Sequence, residues 1–288
     1  MSDTLKMEIE SGCWLPVSGV QRLLGFYCRV LPEHPAKLRI IRALTTCVFK
    51  RGIIVRKVDG KCDILIDPLD AIGMEILRHG GYEPNSIAHA LHLMRDGGIF
   101  VDIGANFGLY SIPIASLPRT ACVAVDASAL AITKLRNNLV RNSLSNVQVV
   151  NAALGNRKGL LAISTVQPGN LGSTRVVEAT ADQSSQQWVP CIRLDAVLQQ
   201  LLPHPKRIQL LKVDVEGFEQ PVLASLDFQG EFRPKNILME CDPDGFAGAG
   251  GAFAFVLSQG YAAFSIDGEP VADCSRLPEH NVWFRDTQ

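Results

Sequence analysis

The chain has 288 residues, 47% of them hydrophobic and 20% charged, with a formal net charge of -1. That size suits one large α/β domain with an extension, or two small domains, with an ordinary apolar core. The near-zero net charge excludes a global field that would draw the protein to nucleic acid or anionic lipid.

The opening Met1-Ser2-Asp3-Thr4-Leu5-Lys6 is polar and lacks a signal-sequence pattern. No apolar run reaches membrane-spanning length, so no stable membrane insertion is expected. The eight cysteines are scattered without a C-x-x-C pair. That argues against a structural zinc site and a disulfide framework, and predicts a reducing, cytoplasmic compartment.

Residues 36–50 alternate basic and apolar positions with helical spacing and read as an amphipathic helix. The basic residues gathered near the start (Lys37, Arg39, Arg42, Lys50, Arg51, Arg56, Lys57) read as a solvated surface in preference to a membrane or polyanion contact. Two β-branched runs follow, Ile53-Ile54-Val55 and Ile64-Leu65-Ile66, with the turn signal Asp59-Gly60 between them. From about residue 86 apolar strands alternate with helices. The strands are expected at 99–103, 121–125, 147–150, 208–213 and 236–240, with a helix over 128–141 that Ser128 caps. This alternation predicts a mostly parallel sheet covered on both faces. Residues 261–266 and 281–285 are expected to add an antiparallel hairpin. The predicted fold class is therefore α/β, with an N-terminal helix-and-hairpin extension (1–85) and a main domain (86–288).

The run Phe100-Val101-Asp102-Ile103-Gly104-Ala105-Asn106-Phe107-Gly108 reads as a strand, a glycine turn and a helix start, at the sheet edge where ligands bind. A dinucleotide needs G-x-G-x-x-G, so that its pyrophosphate meets bare backbone. Here Asn106 replaces the middle glycine and Asp102 adds negative charge. S-adenosylmethionine (SAM) carries an ammonium and a sulfonium and no phosphate, so it suits this acidic loop. Gly104 is expected to bring the backbone close to the ligand. Asp126 ends the next strand about twenty residues on, where a carboxylate accepts ribose hydroxyls. Ala152 leaves room for an adenine ring.

The strand Leu210-Leu211-Lys212-Val213 turns polar at its carboxyl end, continuing Asp214-Val215-Glu216-Gly217-Phe218-Glu219. A buried parallel strand is ordinarily apolar throughout, so this polarity marks chemistry at the ligand edge. Lys212 and Asp214 share one face by alternation. Glu240 and Asp242 end the following strand, and with Asp214 they can serve as a general base or as oxygen ligands for a divalent cation; the base reading is preferred, with no metal assigned.

Taken together, Gly81-Tyr82-Glu83-Pro84, the 101–108 run, Asp195-Ala196-Val197-Leu198, the 211–219 run and Ile237-Leu238-Met239-Glu240 resemble the FkbM methyltransferase family over roughly residues 60–245. The resemblance implies a Rossmann-like class I methyltransferase fold. It also implies SAM as cofactor and O-methylation of a small-molecule or glycan hydroxyl, with no nucleic-acid partner. On that reading Asp102, Gly104, Ala105, Asn106, Gly108, Asp126, Ala152, Tyr82 and Glu83 bind the cofactor. Asp214, Glu216, Glu240 and Lys212 carry the chemistry. Apart from the resemblance, the loop from Gln167 to Thr174 is rich in small polar residues and reads either as a cover over the acceptor or as an ordinary surface loop. The sequence departs from the family pattern in three places. Asp126 stands where Glu is usual, and Asp242 where His is common. Pro113 falls within the helix after the glycine loop and is expected to delay or kink it. A nicotinamide-dependent dehydrogenase and a non-catalytic module of the same fold are the alternatives.

Overall fold

The structure, a computed structural model, describes residues 13–30, 36–47, 52–57, 61–165, 174–177, 186–202, 207–241, 247–273 and 281–288. Strand β1 (Trp14–Pro16) leads into helices α1 (Gly19–Val30) and α2 (Lys37–Cys47). Strands β2 (Ile53–Lys57) and β3 (Asp63–Ile66) pair antiparallel, and β1 adds to the free side of β2. The Asp59-Gly60 turn lies outside the described residues. Helix α3 (Ala71–His79) starts where the Asp70 carboxylate accepts the Ile72 N–H, and it ends at Gly80 in the left-handed conformation. This pairs a side-chain N-cap with a glycine C-cap. Helix α4 (Pro84–Leu93) opens on a proline, whose missing N–H costs nothing in a first turn.

The main sheet begins with β4 (Gly98–Ile103). Next come α5 (Ser111–Ala115), β5 (Thr120–Asp126), α6 (Ala129–Arg141, capped by Ser128) and β6 (Val147–Asn151). The chain continues through β7 (Ala153–Leu154), β8 (Gly159–Thr165), β9 (Thr174–Val177) and β10 (Gln187–Ile192). It ends with α7 (Leu194–Leu201), β11 (Leu210–Val213), α8 (Glu219–Leu223), β12 (Asn236–Glu240), α9 (Ala247–Ser258), β13 (Tyr261–Phe264) and β14 (Asn281–Asp286). The seven-stranded order is β13-β14-β12-β11-β4-β5-β6. Strands β12 to β6 run parallel, and β14 runs antiparallel to both β12 and β13.

Alternation along these strands builds two apolar layers. Phe100, Ala124, Leu210 and Leu238 face one side with Leu135 of α6, and Val101, Val123, Leu211 and Met239 face the other with Leu194 and Val222. Trp14, Ile53 and Ile64 belong to the first of these layers. The fully buried Asn138 joins the parts: it accepts the Leu65 N–H at 2.8 Å and donates to the Phe107 carbonyl at 2.9 Å.

The structure departs from the sequence expectations in three places. Strands β7 to β10 form a separate four-stranded sheet, ordered β7-β10-β8-β9, inserted between β6 and α7. Lys37 and Lys57 are buried rather than solvated, and Lys37 Nζ donates to the Cys28 carbonyl at 3.1 Å. Arg39 and Arg42 are exposed, whereas Lys50 and Arg51 lie outside the described residues. Pro113 is the third residue of the short α5, a first-turn position where its missing N–H is tolerated.

Candidate active site

The parallel strands end side by side, and their carboxyl ends set out the polar groups in sheet order. Glu240 ends β12, Asp214 follows β11, Gly104 follows β4, Asp126 ends β5 and Asn151 ends β6. At about 4.8 Å per strand, the row from Glu240 to Asp126 spans about 14 Å. A cleft of about 1040 Å³, open solvent at its mouth included, runs along this edge. Of the residues singled out in the sequence and described here, Tyr82, Glu83, Asp102, Gly104, Ala105, Asn106, Asp126, Ala152, Lys212, Asp214, Glu216 and Glu240 all line it.

Gly108 does not line the cleft. A Cβ there would meet Leu135 Cδ1 at 2.6 Å, so this glycine lets α6 pack against the loop. Gly104 makes the expected turn and also meets the end of β11. Its φ is +80°, and a Cβ would lie 1.7 Å from the Asp214 carbonyl oxygen. The bare backbone at Gly104 therefore admits the end of β11, at a position that also lines the cleft.

The loop also spends its own donors. Gly104 N and Ala105 N both donate to the Val125 carbonyl, at 2.9 and 3.1 Å, and Gly108 N donates to the Ala105 carbonyl at 2.9 Å. Asn106 N donates to Asp126 Oδ2 at 2.9 Å, and Asn106 sits in the left-handed region at φ 47°. These amides have no cradle left for a pyrophosphate, which counts against the dinucleotide reading.

Asp126 Oδ1 accepts the Ser128 N–H at 2.7 Å, so each carboxylate oxygen holds one backbone donor. Burial nevertheless pushes the pKa up to about 6, against those two bonds. An ionised carboxylate has about four acceptor directions, and two remain for a ligand diol. Ala127, Ala152, Ala153, Leu154, Phe107 and Phe218 supply the flat and small apolar walls nearby.

The other end of the cleft holds most of the charge. Lys212 Nζ donates to Asp214 Oδ2 at 2.8 Å and lies 4.7 Å from the centre of the Tyr110 ring, a cation–π arrangement. Burial opposes the Lys212 ammonium, but Asp214, Asp102 and Glu83 outweigh it and raise its pKa. Burial also opposes the Asp214 carboxylate, and Lys212 with a hydrogen bond from Glu240 brings its pKa below the ordinary value. Glu240 goes the other way: the Asp214 charge, then burial, push it up to about 10. Glu240 therefore keeps its proton at neutral pH and donates it to Asp214, two carboxyl groups sharing one proton.

Asp102 is fully buried. Its Oδ2 accepts the Ser111 hydroxyl at 2.5 Å, and its Oδ1 has no hydrogen-bond partner. Burial raises its pKa, with Lys212 opposing. Glu83 stands in the left-handed region at φ 48°, and its Oε2 accepts the Tyr110 hydroxyl at 2.6 Å. Burial and Asp214 raise the Glu83 pKa. Burial, then Glu83 and Asp214, raises the Tyr82 phenol.

Glu216 also has positive φ, 53°, followed by Gly217 at 92°. That turn brings one oxygen each of Asp214, Glu216 and Glu240 within 4.8 Å of one another. Asp242 lies outside the described residues, as does all of the 167–174 loop except Thr174.

Sequence reading missed several contributors. Tyr110 lies under Lys212, and Asn281, the register partner of Glu240 on β14, hydrogen-bonds Glu83. Arg175 and Val176 of the inserted sheet also line the cleft, next to Thr174, the described end of the 167–174 loop.

Residues 102–262 match the methyltransferase FkbM domain. The chain is 28% identical to "Methyltransferase 1" of Beauveria bassiana (strain ARSEF 2860) over 169 residues, 52% of this chain and 67% of that protein. It is 31% identical to "Methyltransferase sdnD" of Sordaria araneosa over 175 residues, 50% of this chain and 67% of that one. Among solved structures, the O-methyltransferase TomG from Streptomyces achromogenes, in complex with SAM, aligns at TM-score 0.45 and 11% identity, covering 89% of this chain and 100% of that one.

Proposed function

The chain belongs to the FkbM methyltransferase family, and from that premise we propose that it uses SAM to methylate a hydroxyl of a sugar, glycan or natural product. In this reading residues 86–288 form the methyltransferase domain and residues 1–85 an extension that contributes Tyr82 and Glu83 to the cleft. The observation that carries the proposal is the pairing in one cleft of a ribose-type acceptor, Asp126, with a buried carboxylate, Asp102, whose Oδ1 is unpartnered.

These residues fit SAM. The acidic end complements a sulfonium and an ammonium, and the engaged loop amides make no demand for phosphate. Asp126 would hold the ribose hydroxyls, the alanine-lined wall the adenine, and Asp102 the ammonium. When bound, SAM supplies an electrophilic methyl group on a sulfonium.

The chain's own residues supply alignment and a proton acceptor. Holding two reactants in line can lower a barrier by about 7 kcal/mol or more in good cases. Asp214 is the base: it is ionised, lies in the cleft and is fixed by Lys212. A hydroxyl proton passes to its carboxylate, while Glu240 keeps its own proton and steadies the neighbouring charge. Lys212 stays protonated throughout, because three carboxylates surround it.

Calorimetry with SAM and with NAD tests the cofactor, with binding of SAM alone expected. Transfer of label from methyl-labelled SAM to a panel of hydroxylated acceptors tests the reaction. NAD binding without SAM binding would overturn the proposal, and transfer only to nitrogen or carbon acceptors would overturn its O-methyl part.

A further inference from the structure

Helix α1 is apolar on the side that faces away from the core. Leu24, Gly25 and Cys28 are buried, whereas Val20, Leu23, Phe26 and Val30 recur at helical spacing on the opposite side. Leu23 is 69% exposed and Phe26 62%. A helix on a protein surface ordinarily turns polar residues outward.

Helix α2 repeats the pattern. Ile41 is buried, while Ile40 and Leu44 are exposed beside the exposed Arg39 and Arg42. Among the described residues nothing covers either face.

The exposed charge of these helices is one-sided. Residues 13–57 carry nine Lys or Arg and a single acid, Glu33. Lys37 and Lys57 are buried and Arg56 pairs with Asp63, so the exposed cations of α1 and α2 are Arg22, Arg29, Arg39 and Arg42. Exposed apolar side chains flanked by arginines on short helices match the chemistry of a lipid–water interface. The side chains enter the acyl boundary and the guanidinium groups meet anionic headgroups. A nucleic acid would use the charge but leave Leu23 and Phe26 in water. A second copy of this chain would set these exposed arginines against their own copies.

We propose that α1 and α2 form a peripheral docking surface for anionic phospholipid membrane. The surface lies on the membrane without spanning it, since no helix among the described residues is long and apolar enough to cross.

The test is co-sedimentation of the full chain with vesicles of phosphatidylcholine, with and without phosphatidylglycerol. Binding is expected only with the anionic lipid, and it should weaken at high salt as the charges are screened. Leu23→Asp with Phe26→Asp, and separately Arg39→Glu with Arg42→Glu, should each reduce binding about tenfold or more. Both substitutions are on exposed positions, and circular dichroism checks the fold. Absence of vesicle binding, or equal binding by all variants, would overturn the proposal. A parent dimer that Leu23→Asp with Phe26→Asp converts to a monomer, without vesicle binding, would assign the face to a second copy. Vesicle binding that appears only after removal of residues 1–12 would assign it to the chain's own N-terminal segment.

Discussion

Asp126 accepts the backbone N–H of Asn106 at 2.9 Å, which ties the end of β5 to the turn after β4. One carboxylate therefore serves both the loop's shape and a ligand diol. Asp126→Ala should weaken SAM binding by about 1.5–3 kcal/mol, the range for a hydrogen bond to a charged group. Calorimetry measures it, and an unchanged dissociation constant would move the ribose site elsewhere.

The same residue predicts a pH effect on stability. Its pKa rises from 3.8 to about 6 on folding. Between those values the native state holds a proton that the unfolded chain has released. The contribution of this group is therefore complete below about 4 and is lost as pH rises through about 6. Asn does not titrate. Relative to the parent, Asp126→Asn should thus be more stable at pH 7 than at pH 4.5, as read from the difference in Tm. A difference that is flat, or of opposite sign, would contradict the buried ionisation.

Gly104 predicts a structural loss. Even Ala would place a methyl group 1.7 Å from the Asp214 carbonyl, at a φ of +80°. Gly104→Ala should cost about 2–4 kcal/mol by overpacking and backbone strain. Thermal unfolding without ligand detects this. Full stability in the apo protein, with SAM binding alone reduced, would instead restore direct ligand contact as the reason for the glycine.

Much of this site was legible because it lies at strand ends. The runs around Asp102, Asp126, Lys212 and Glu240 are apolar strands that stop at a charge, and the parallel sheet brings those ends together. The inserted β7–β10 sheet was not legible. Pro190 interrupts β10, Trp188 in the same strand is half-exposed, and β7 has only two residues, so no clear alternation marks these strands. Asn281 was invisible for a different reason: only the antiparallel register of β14 sets it opposite Glu240. Tyr110 reads as one more apolar residue until Lys212 is found above its ring.

The last prediction separates the carboxylates. Asp214 is ionised beside Lys212, and Glu240, pushed up to about 10, donates a proton to it. If Asp214 is the base, Asp214→Asn keeps the shape but removes the proton acceptor, and turnover should fall by about 10²–10⁴ with little change in SAM affinity. Glu240→Gln is a milder change, because the amide can still donate to Asp214, so a loss of less than about tenfold is expected. A divalent cation on Asp214, Glu216 and Glu240 gives another pattern, since their oxygens stand within 4.8 Å of one another. The cation would need all three carboxylates ionised, and it would lower the pKa of an acceptor hydroxyl directly. Glu240→Gln would then be as damaging as Asp214→Asn, a chelator would abolish turnover and added Mg²⁺ would restore it. Turnover of the two variants with and without chelator decides the matter. A severe loss in Asp214→Asn, a mild one in Glu240→Gln and indifference to chelator are expected of a shared-proton pair, and near-normal turnover in Asp214→Asn would remove Asp214 from the chemistry altogether.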